Sequence, residues 1–414
     1  MAFPHRPRGG EPEESWKLNE ITKQFIRENL NADVPTLALK KAPVGTDVSV
    51  ALRQIEARQL LRKKVPSWSE NEDLLFPVHL SIEQCSSEAS AKYKATLLHG
   101  QSLADLTGGL GIDTYFISQH FAQTDYVERQ VELCNLARHN FEVLKAKVDV
   151  RNETAEEYLN HCEPKDCIFI DPARRDEHGR KTVSISDCTP DVAALQDLLL
   201  EKAEIVMVKL SPMLDISKAL EEMRHVKEVH VVAVANECKE LDLVVQRGFE
   251  GEPQFVCVNL LTAQPELRFM QEEERHCTSR IADGVSHYLY EPNPAVMKAG
   301  CFKLLTQRFD VLKLHKNSNL YTSERLFPDF PGRVFEVEGW APYNKKVKQA
   351  LLHDVGQASI AVRNFPLSVA ELRKTLKISD GDETYLFATT LKGERKVIIR
   401  TKKTASNEAV SFGF

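Results

Sequence analysis

The sequence predicts an α/β protein built on a seven-stranded sheet, with a helical cap before the sheet and small α+β domains after it. Strand and helix patterns alternate from Leu103 to about Leu261, which is typical of βαβ units. Before Gly100, apolar residues recur at helical spacing. Beyond Pro265, short alternating segments replace the βαβ pattern. These three observations define the predicted fold class.

The composition excludes several classes of protein. The 414 residues, 42% of them hydrophobic, can bury a sizeable core. There is no apolar run of membrane length, and the first residues lack an apolar signal core, so we expect a soluble, cytoplasmic protein. Nine cysteines without a CxxC pair indicate free thiols and no structural zinc, and we expect no metal. The net charge of −6 means that any nucleic-acid binding must come from a local basic patch.

The N-terminal region is predicted to be helical. Ile21, Phe25 and Ile26 recur at helix-like spacing among charged residues. Ser81-Ile-Glu-Gln84 has the pattern of a capping box, and it predicts a helix that runs to about Leu98. This region would form a cap whose last helix leads into the first strand.

The central region supplies the predicted sheet. Its strands are Ser102–Leu106, Asp125–Glu128, Val148–Arg151, Cys167–Ile170, Ile205–Leu210, Val229–Ala235 and Phe255–Leu260. We expect helices at Thr114–Phe121 and Gln130–Leu144. Because little helix is predicted between the last two strands, they are expected to pair antiparallel at the sheet edge.

A glycine turn follows the first strand. Asp105 stands at the carboxyl end of that strand, and Gly108, Gly109 and Gly111 allow backbone torsions that a Cβ forbids. Such a turn can hold the pyrophosphate of a dinucleotide, or the amino acid and adenosine parts of S-adenosylmethionine (SAM). Asp105 would repel a pyrophosphate and would suit an ammonium group. We therefore favour SAM.

The strand order and these motifs resemble a class I SAM-dependent methyltransferase over residues 95 to 262. The resemblance implies a Rossmann-like methyltransferase sheet, with Glu128 on the ribose hydroxyls and Glu153 and Thr154 beside the adenine. The turn is similar to that of bacterial small-subunit rRNA guanine-N2 methyltransferases. Together, the predicted cofactor-binding residues are Asp105, Thr107, Gly108, Gly109, Gly111, Asp113, Glu128, Glu153 and Thr154.

The Asp-Pro corner after the fourth strand is the predicted catalytic position. In amino-methylating relatives this position has Asn or Asp, then two prolines and an aromatic residue, whereas this chain has Asp171-Pro-Ala-Arg-Arg175. We predict Asp171, Pro172 and Arg174 as catalytic residues, with Ala173 and Arg175 as substrate contacts. The two arginines would stack on a base or grip phosphate, or they are surface arginines in a loop.

Two further strand ends supply candidate substrate contacts, namely Lys209, Ser211, Glu237 and Lys239. Lys209, Glu237 and Lys239 could equally belong to structural ion pairs. Carbon methylation of uracil needs a cysteine nucleophile, and Cys238 is the candidate for that role if it is not a buried thiol. Methylation of nitrogen needs no such nucleophile.

The C-terminal region differs in character from the sheet. Residues 340 to 404 contain 13 Lys and Arg against 6 Asp and Glu, which gives a local basic excess. The segments Ile360–Ser368 and Glu371–Lys374 resemble the THUMP-like domain of a family of bacterial methyltransferases. THUMP domains bind RNA, so the resemblance implies RNA as a partner; a basic face without a partner is the alternative. We predict four regions: helical (1–98), methyltransferase (99–264), ferredoxin-like (275–338) and THUMP-like (339–408).

The predicted function is SAM-dependent methylation of structured RNA, rRNA or tRNA, at a base nitrogen. Two alternatives remain. The protein could bind SAM or RNA without catalysis, because the Asp-Pro-Ala-Arg-Arg loop is atypical. It could also methylate a small molecule or a protein.

Overall fold

The structure is a computed structural model that describes residues 18–77, 79–174 and 184–404. It divides into two compact units. The described residues of the first unit are 18–77, 79–174 and 188–207, and those of the second are 184–187 and 208–404.

Within residues 18–77 and 79–100, six helices precede the sheet, as predicted for the N-terminal region. Phe25, Ile26 and Ile55 form one apolar core between the first and third helices. The predicted long helix from Ser81 is wrong: Ser81 lies inside a helix that ends at Gln84, and the next helix is capped by Ser87, whose hydroxyl accepts from the Ser90 N–H at 3.2 Å. The helices are α1 (Glu20–Glu28), α2 (Val34–Leu37), α3 (Val48–Leu61), α4 (Pro66–Ser69), α5 (His79–Gln84) and α6 (Glu88–Ala95).

The central sheet contains nine strands and confirms the α/β class. In the first unit the strand order is β7-β4-β1-β2-β3, and in the second it is β11-β10-β8-β9-β7. Strands β4, β1, β2 and β3 are parallel to one another. The strands are β1 (Ser102–Asp105), β2 (Gln123–Val127), β3 (Asp149–Arg151), β4 (Lys165–Ile170), β7 (Ala203–Leu210), β8 (Val226–Val234), β9 (Glu237–Gln246), β10 (Gln254–Leu260) and β11 (Leu267–Met270).

Two of these nine strands, β9 and β11, were not among the seven predicted, and one predicted pairing is wrong. The sixth and seventh predicted strands correspond to β8 and β10, which pair parallel rather than antiparallel. Strand β9 is the antiparallel neighbour of β8. Its first half carries charged residues, and two of them, Glu240 and Asp242, are buried. An apolar pattern therefore could not reveal this strand.

A two-residue turn joins β8 to β9. Ala235 and Asn236 both have positive φ, 48° and 67°, and Val234 pairs with Glu237 across the turn. Positive φ at both central residues is the geometry of a type I′ hairpin turn. The segment after β8, which contains the candidate substrate contacts Glu237 and Lys239, thus begins with a tight hairpin turn.

Helices and one small hairpin connect the strands of the central sheet. The helices are α7 (Ile112–Ser118), α8 (Val131–Val143), α9 (Ala155–His161), α10 (Val192–Lys202), α11 (Ile216–Glu222) and α12 (Gln271–His276). The hairpin pairs β5 (Ala173–Arg174) antiparallel with β6 (Cys188–Thr189).

The second unit also contains a seven-stranded sheet, in the order β13-β14-β12-β15-β18-β17-β16. Its neighbouring strands pair antiparallel, except that β16 and β17 are parallel. Phe335 and Phe387 lie in one apolar core of this sheet, and Leu372 and Leu386 lie in the other. The strands are β12 (Tyr288–Pro292), β13 (Leu312–His315), β14 (Ser318–Ser323), β15 (Gly332–Pro342), β16 (Ser359–Arg363), β17 (Thr384–Leu391) and β18 (Arg395–Lys403).

Four helices belong to this C-terminal region, and strand β15 runs through residue 339. The predicted division of the region at that residue stays a prediction. The helix that begins at Pro294 ends at Ala299, because Gly300 adopts a φ of +76°. The helices are α13 (Pro294–Ala299), α14 (Leu305–Arg308), α15 (Val347–Leu351) and α16 (Val369–Leu376).

None of the helices within residues 18–77, 79–174 and 184–404 is long and apolar enough to span a membrane. No two of the nine cysteines, all of which lie in the part of the chain that the structure describes, form a disulfide.

Candidate functional site

The glycine turn lies between β1 and α7 and packs against an aromatic ring. A Cβ on Gly108 would stand 2.1 Å from the ring of Tyr126, which is fully buried in β2. The Tyr126 hydroxyl donates to the Gly109 carbonyl at 2.6 Å. Gly109 and Gly111 have φ of +54° and +82°. The turn therefore requires glycine for two reasons: close approach at Gly108 and left-handed backbone at the other two.

One side of the turn is open. A Cβ on Gly109 would have as its nearest contact the carbonyl oxygen of Thr107, at an ordinary 3.7 Å. The turn backbone at Gly109 is thus accessible to another molecule.

Asp105 lies beneath the turn and is 1% exposed. Its Oδ1 accepts from the Thr107 N–H at 3.0 Å, and its Oδ2 accepts from the Thr114 hydroxyl at 2.5 Å. Burial raises the pKa of Asp105 to about 7; hydrogen bonds from Thr114 and Thr107 lower it, and the charges of Asp113 and Asp171 raise it further. Asp105 therefore joins the turn to α7. Its predicted contact with an ammonium group stays a prediction.

Glu128 follows β2 and faces the turn. Its Oε2 accepts from the Gly109 N–H at 3.1 Å, and its Oε1 accepts from the Gln130 N–H at 2.8 Å. A pyrophosphate at this turn would compete for the Gly109 amide and would meet a carboxylate. The geometry thus disfavours the dinucleotide interpretation of the turn.

Asp113 lies in the first turn of α7 and is paired with a residue of α6. Its Oδ1 is 3.2 Å from Lys94 Nζ, and its Oδ2 accepts from the Ser86 hydroxyl at 2.6 Å. The side chain of Asp113 thus interacts with the N-terminal helical region.

Glu153 and Thr154 follow β3, and both have local partners. Thr154 caps α9 in a capping box with Glu157. Glu153 Oε2 is 2.7 Å from His161 Nε2. These contacts fix the start of α9 beside the carboxyl end of β3, and the predicted adenine contacts stay a prediction.

The Asp-Pro corner adjoins the glycine turn. The Asp171 N–H donates to the Thr107 hydroxyl at 2.6 Å. Pro172 is buried, and Ala173, which is exposed, begins β5. The backbone of Arg174 pairs with Cys188, whereas Arg175 lies outside the described residues. The structure therefore brings Asp171 next to the turn, as the sequence suggested.

The remaining candidates lie in the second unit. Lys209 is a buried residue of β7, and the hydroxyl of Ser211, just after this strand, accepts from the Met213 N–H at 3.3 Å. Glu237 and Lys239, at the start of β9, form an exposed ion pair of 2.7 Å with each other. Their predicted substrate contacts stay predictions.

Cys238 is poorly suited to nucleophilic attack. Burial raises the pKa of its thiol to about 11, so the thiolate is scarce at neutral pH. Carbon methylation through this cysteine is accordingly disfavoured.

Sequence reasoning missed the residues that support the site from outside the motifs, namely Tyr126, Thr114, Lys94 and Ser86. The local pattern around Tyr126 shows only an apolar strand, and Lys94 looks like one of several helix lysines. Their roles depend on contacts between elements, which no local signal reports.

Parallel strands with a glycine turn after β1 and carboxylates at the ends of β1 and β2 define the class I methyltransferase fold. Residues 288–331 match a family model described as a ferredoxin-like domain, and residues 332–403 match one described as THUMP domain-like.

The crystal structure described as a "putative methyltransferase from Porphyromonas gingivalis W83" is similar to this chain over most of its length. The two are 36% identical with a TM-score of 0.82, and the match covers 92% of this chain and 97% of that one. The chain therefore belongs to the same family, the methyltransferases with ferredoxin-like and THUMP-like C-terminal regions.

Two other solved structures are less similar to this chain. The 16S rRNA N2 G1207 methyltransferase of T. thermophilus, solved with AdoMet and guanosine, is 14% identical with a TM-score of 0.33; the match covers 42% of this chain and 46% of that one. A Streptococcus mutans protein in complex with SAH is also 14% identical, with a TM-score of 0.29, and the match covers 41% of this chain and 99% of that one. Curated protein sequences contain no significant match.

Proposed function

We propose that this methyltransferase uses SAM to modify a base nitrogen of structured RNA, rRNA or tRNA. The observation that carries the proposal is the pairing of an open glycine turn with the Glu128 carboxylate, beside the Asp171 corner. This arrangement lies at the carboxyl ends of parallel strands, where open α/β sheets bind their ligands.

The residues present fit SAM. The open space beside Gly109 would be filled by a Cβ, and the neighbouring Glu128 carboxylate keeps lone pairs for the two ribose hydroxyls. A carboxylate would repel a phosphate at that position, whereas SAM carries none. Asp105, ionised above pH about 7, offers a negative charge under the turn for the ammonium group.

The chain's own residues would align an acceptor nitrogen. When bound, SAM supplies an electrophilic methyl group. The hydrogen bond from the Asp171 N–H to Thr107 fixes the corner against the turn, so the Asp171 carboxylate can accept a hydrogen bond from an acceptor amine and take up its proton after transfer. Pro172, which is buried, limits the freedom of this corner. Alignment of this kind accounts for much of the rate in reactions between two bound groups.

Four exposed lysines supply a docking surface for RNA, called here the lysine edge: Lys345, Lys346, Lys348 and Lys396. The backbone holds them together, because the Tyr343 N–H donates to the Lys396 carbonyl at 2.8 Å and the Lys346 N–H donates to Asn344 Oδ1 at 2.8 Å. Among the described residues, none of the four forms an ion pair, so their charges are available to phosphates.

Calorimetry with SAM tests the cofactor site. We expect micromolar binding to the full chain and a loss of at least tenfold on Glu128→Ala, because the ribose hydroxyls lose their acceptor, about 1.4 kcal/mol or more.

Nucleoside mass spectrometry of RNA from cells with and without the gene tests the substrate. An unchanged profile in every RNA class would overturn the RNA assignment, even if SAM binds.

RNA binding at several salt concentrations tests the lysine edge. Replacing Lys345, Lys346 and Lys396 by glutamine should reduce the slope of log K against log salt by about 2, at roughly 0.7 per phosphate contact on a single strand. Lys402→Gln is the matched control, since this exposed lysine of β18 is already paired with Glu336 at 3.3 Å. Equal slopes for the triple variant and the control would exclude this surface.

A further inference from the structure

A lysine from the N-terminal helical region is buried against the cofactor turn. Lys94, in α6, has no exposed surface. Its Nζ lies 3.2 Å from Asp113 Oδ1 and 3.2 Å from the Ser86 hydroxyl oxygen. The Ser86 hydroxyl donates to the other oxygen of Asp113 at 2.6 Å. Burying an ammonium group costs free energy unless the group is paired. The contacts with Asp113 and Ser86 therefore hold the positive charge of Lys94 at one position beside α7.

The contacts of Lys94 lead to the residue beneath the glycine turn in three short steps. Asp113 precedes Thr114 in the first turn of α7. The Thr114 hydroxyl donates to Asp105 Oδ2 at 2.5 Å, and Asp105 Oδ1 accepts from the Thr107 N–H at 3.0 Å. Thr107 is the first residue of the glycine turn, and its hydroxyl accepts from the Asp171 N–H. A shift of Asp113 would therefore change the position of the glycine turn.

We propose that Lys94 is a positioning residue of the cofactor site. Through Asp113 and Ser86 it fixes the start of α7 and offsets the Asp113 charge beside Asp105, so that the N-terminal helical region completes the site. The expected effect of Lys94 on SAM binding rests on the proposed SAM site. The effect of Lys94 on the ionisation of Asp105 can be measured without any cofactor.

The electrostatics support this role. The charges of two carboxylates, Asp113 on α7 and Asp171 after β4, raise the pKa of Asp105. The titratable phenol of Tyr126, on β2, also lies near Asp105. Lys94 is the cation paired with the first of these carboxylates. Without Lys94, more of the Asp113 charge would act on Asp105, and Asp105 would ionise at a higher pH.

Lys94→Met tests the proposal, with Lys92→Met as the matched control. Lys92 lies on the same helix, but its side chain is 42% exposed and is paired with Glu88 at 2.9 Å. Urea unfolding is measured from pH 4 to 9 in each background, with and without Asp105→Asn, so that the difference isolates the titration of Asp105.

We expect Lys94→Met to move the Asp105 midpoint upward by at least half a pH unit and to weaken SAM binding about tenfold. The control should leave both unchanged. If the midpoint and the affinity of Lys94→Met equal those of the wild type, the proposal is wrong. If the wild type binds no SAM, the proposed cofactor fails, while the midpoint still decides the role of Lys94.

A double variant, Lys94→Met with Asp113→Asn, covers the case in which the single variant does not fold. It removes both charges and leaves no buried carboxylate without its cation. The Asp105 midpoint should then lie no higher than that of the wild type, because the carboxylate that raises it is removed together with its cation. A midpoint above the wild-type value would contradict the proposal, since no charge of Asp113 is then left to raise it.

Discussion

The ionisation of Asp105 should make the cofactor-free protein less stable as the pH rises toward neutrality. The pKa of this carboxyl is about 7 in the folded protein and 3.8 when it is unperturbed. Between these values the folded state holds a proton that the unfolded state has lost, so the free energy of unfolding falls as the pH rises. The effect is complete above pH about 7, where Asp105 is ionised in both states.

The magnitude follows from the difference in pKa. About 3 pKa units at 1.36 kcal/mol each correspond to about 4 kcal/mol of lost stability between pH 4 and pH 8. Asp105 is buried, so screening by solvent does little to reduce this cost. Asp105→Asn removes the titration and can keep both contacts, since its oxygen can accept from the Thr107 N–H and its NH₂ can donate to the Thr114 hydroxyl.

Urea unfolding of the wild type and of Asp105→Asn at matched pH values is the appropriate assay. The free energy of unfolding of the variant, minus that of the wild type, should increase by about 4 kcal/mol from pH 4 to pH 8. A pH-independent offset added to this change is compatible with the reasoning, because a difference in packing does not depend on pH. Parallel curves over the whole range would refute it, since Asp105 would then titrate normally in the folded protein.

Three further predictions concern single substitutions. Gly108→Ala should lower the free energy of unfolding in urea by about 1–3 kcal/mol, because its Cβ meets the buried ring of Tyr126, and an unchanged free energy would contradict this. Gly109→Ala should cost about 1–2 kcal/mol through its positive φ and should chiefly reduce SAM binding; undiminished affinity in calorimetry would contradict this. Glu128→Gln should weaken SAM binding and lower the free energy of unfolding by about 1–3 kcal/mol, because its NH₂ cannot accept from one of the two backbone N–H groups that the carboxylate satisfies; undiminished affinity in calorimetry would remove the ribose assignment. Glu291→Gln should destabilise the C-terminal sheet by about 2 kcal/mol in urea unfolding, because two arginines on β15 and β16 lose their buried partner, and an unchanged midpoint would show that this pairing contributes nothing.

Much of the fold could be predicted because its signals are local. The strands β1, β4 and β7 contain short apolar runs that end at or just before polar residues, and the glycine turn has a composition that few other structures need. The same local signals located the Asp-Pro corner. Where the signal was interrupted, the prediction failed: β9 carries buried charges, and the tight turn at Ala235–Asn236 contains no glycine.

The candidate site could be predicted in part. Glu128 was expected at the turn and does face it, because the ends of neighbouring parallel strands meet at one edge. The partners of the predicted residues could not be found from the sequence. The predicted contact of Asp113 with the cofactor stays a prediction, and two of its partners, Lys94 and Ser86, lie 19 and 27 residues away along the chain.

By itself, the sequence determined most strands of the central sheet, where the turn must bend, and which carboxylates stand at strand ends, since these properties depend on neighbours in the chain. Tertiary structure alone decided which strands are neighbours in the sheet, which ring fills the space left by Gly108, and which charges are buried together. Those outcomes depend on close approach between distant segments, where the loss of water and the distances between charges set the energies. The raised pKa of Asp105 is the clearest case, because its largest cause is burial under the assembled turn.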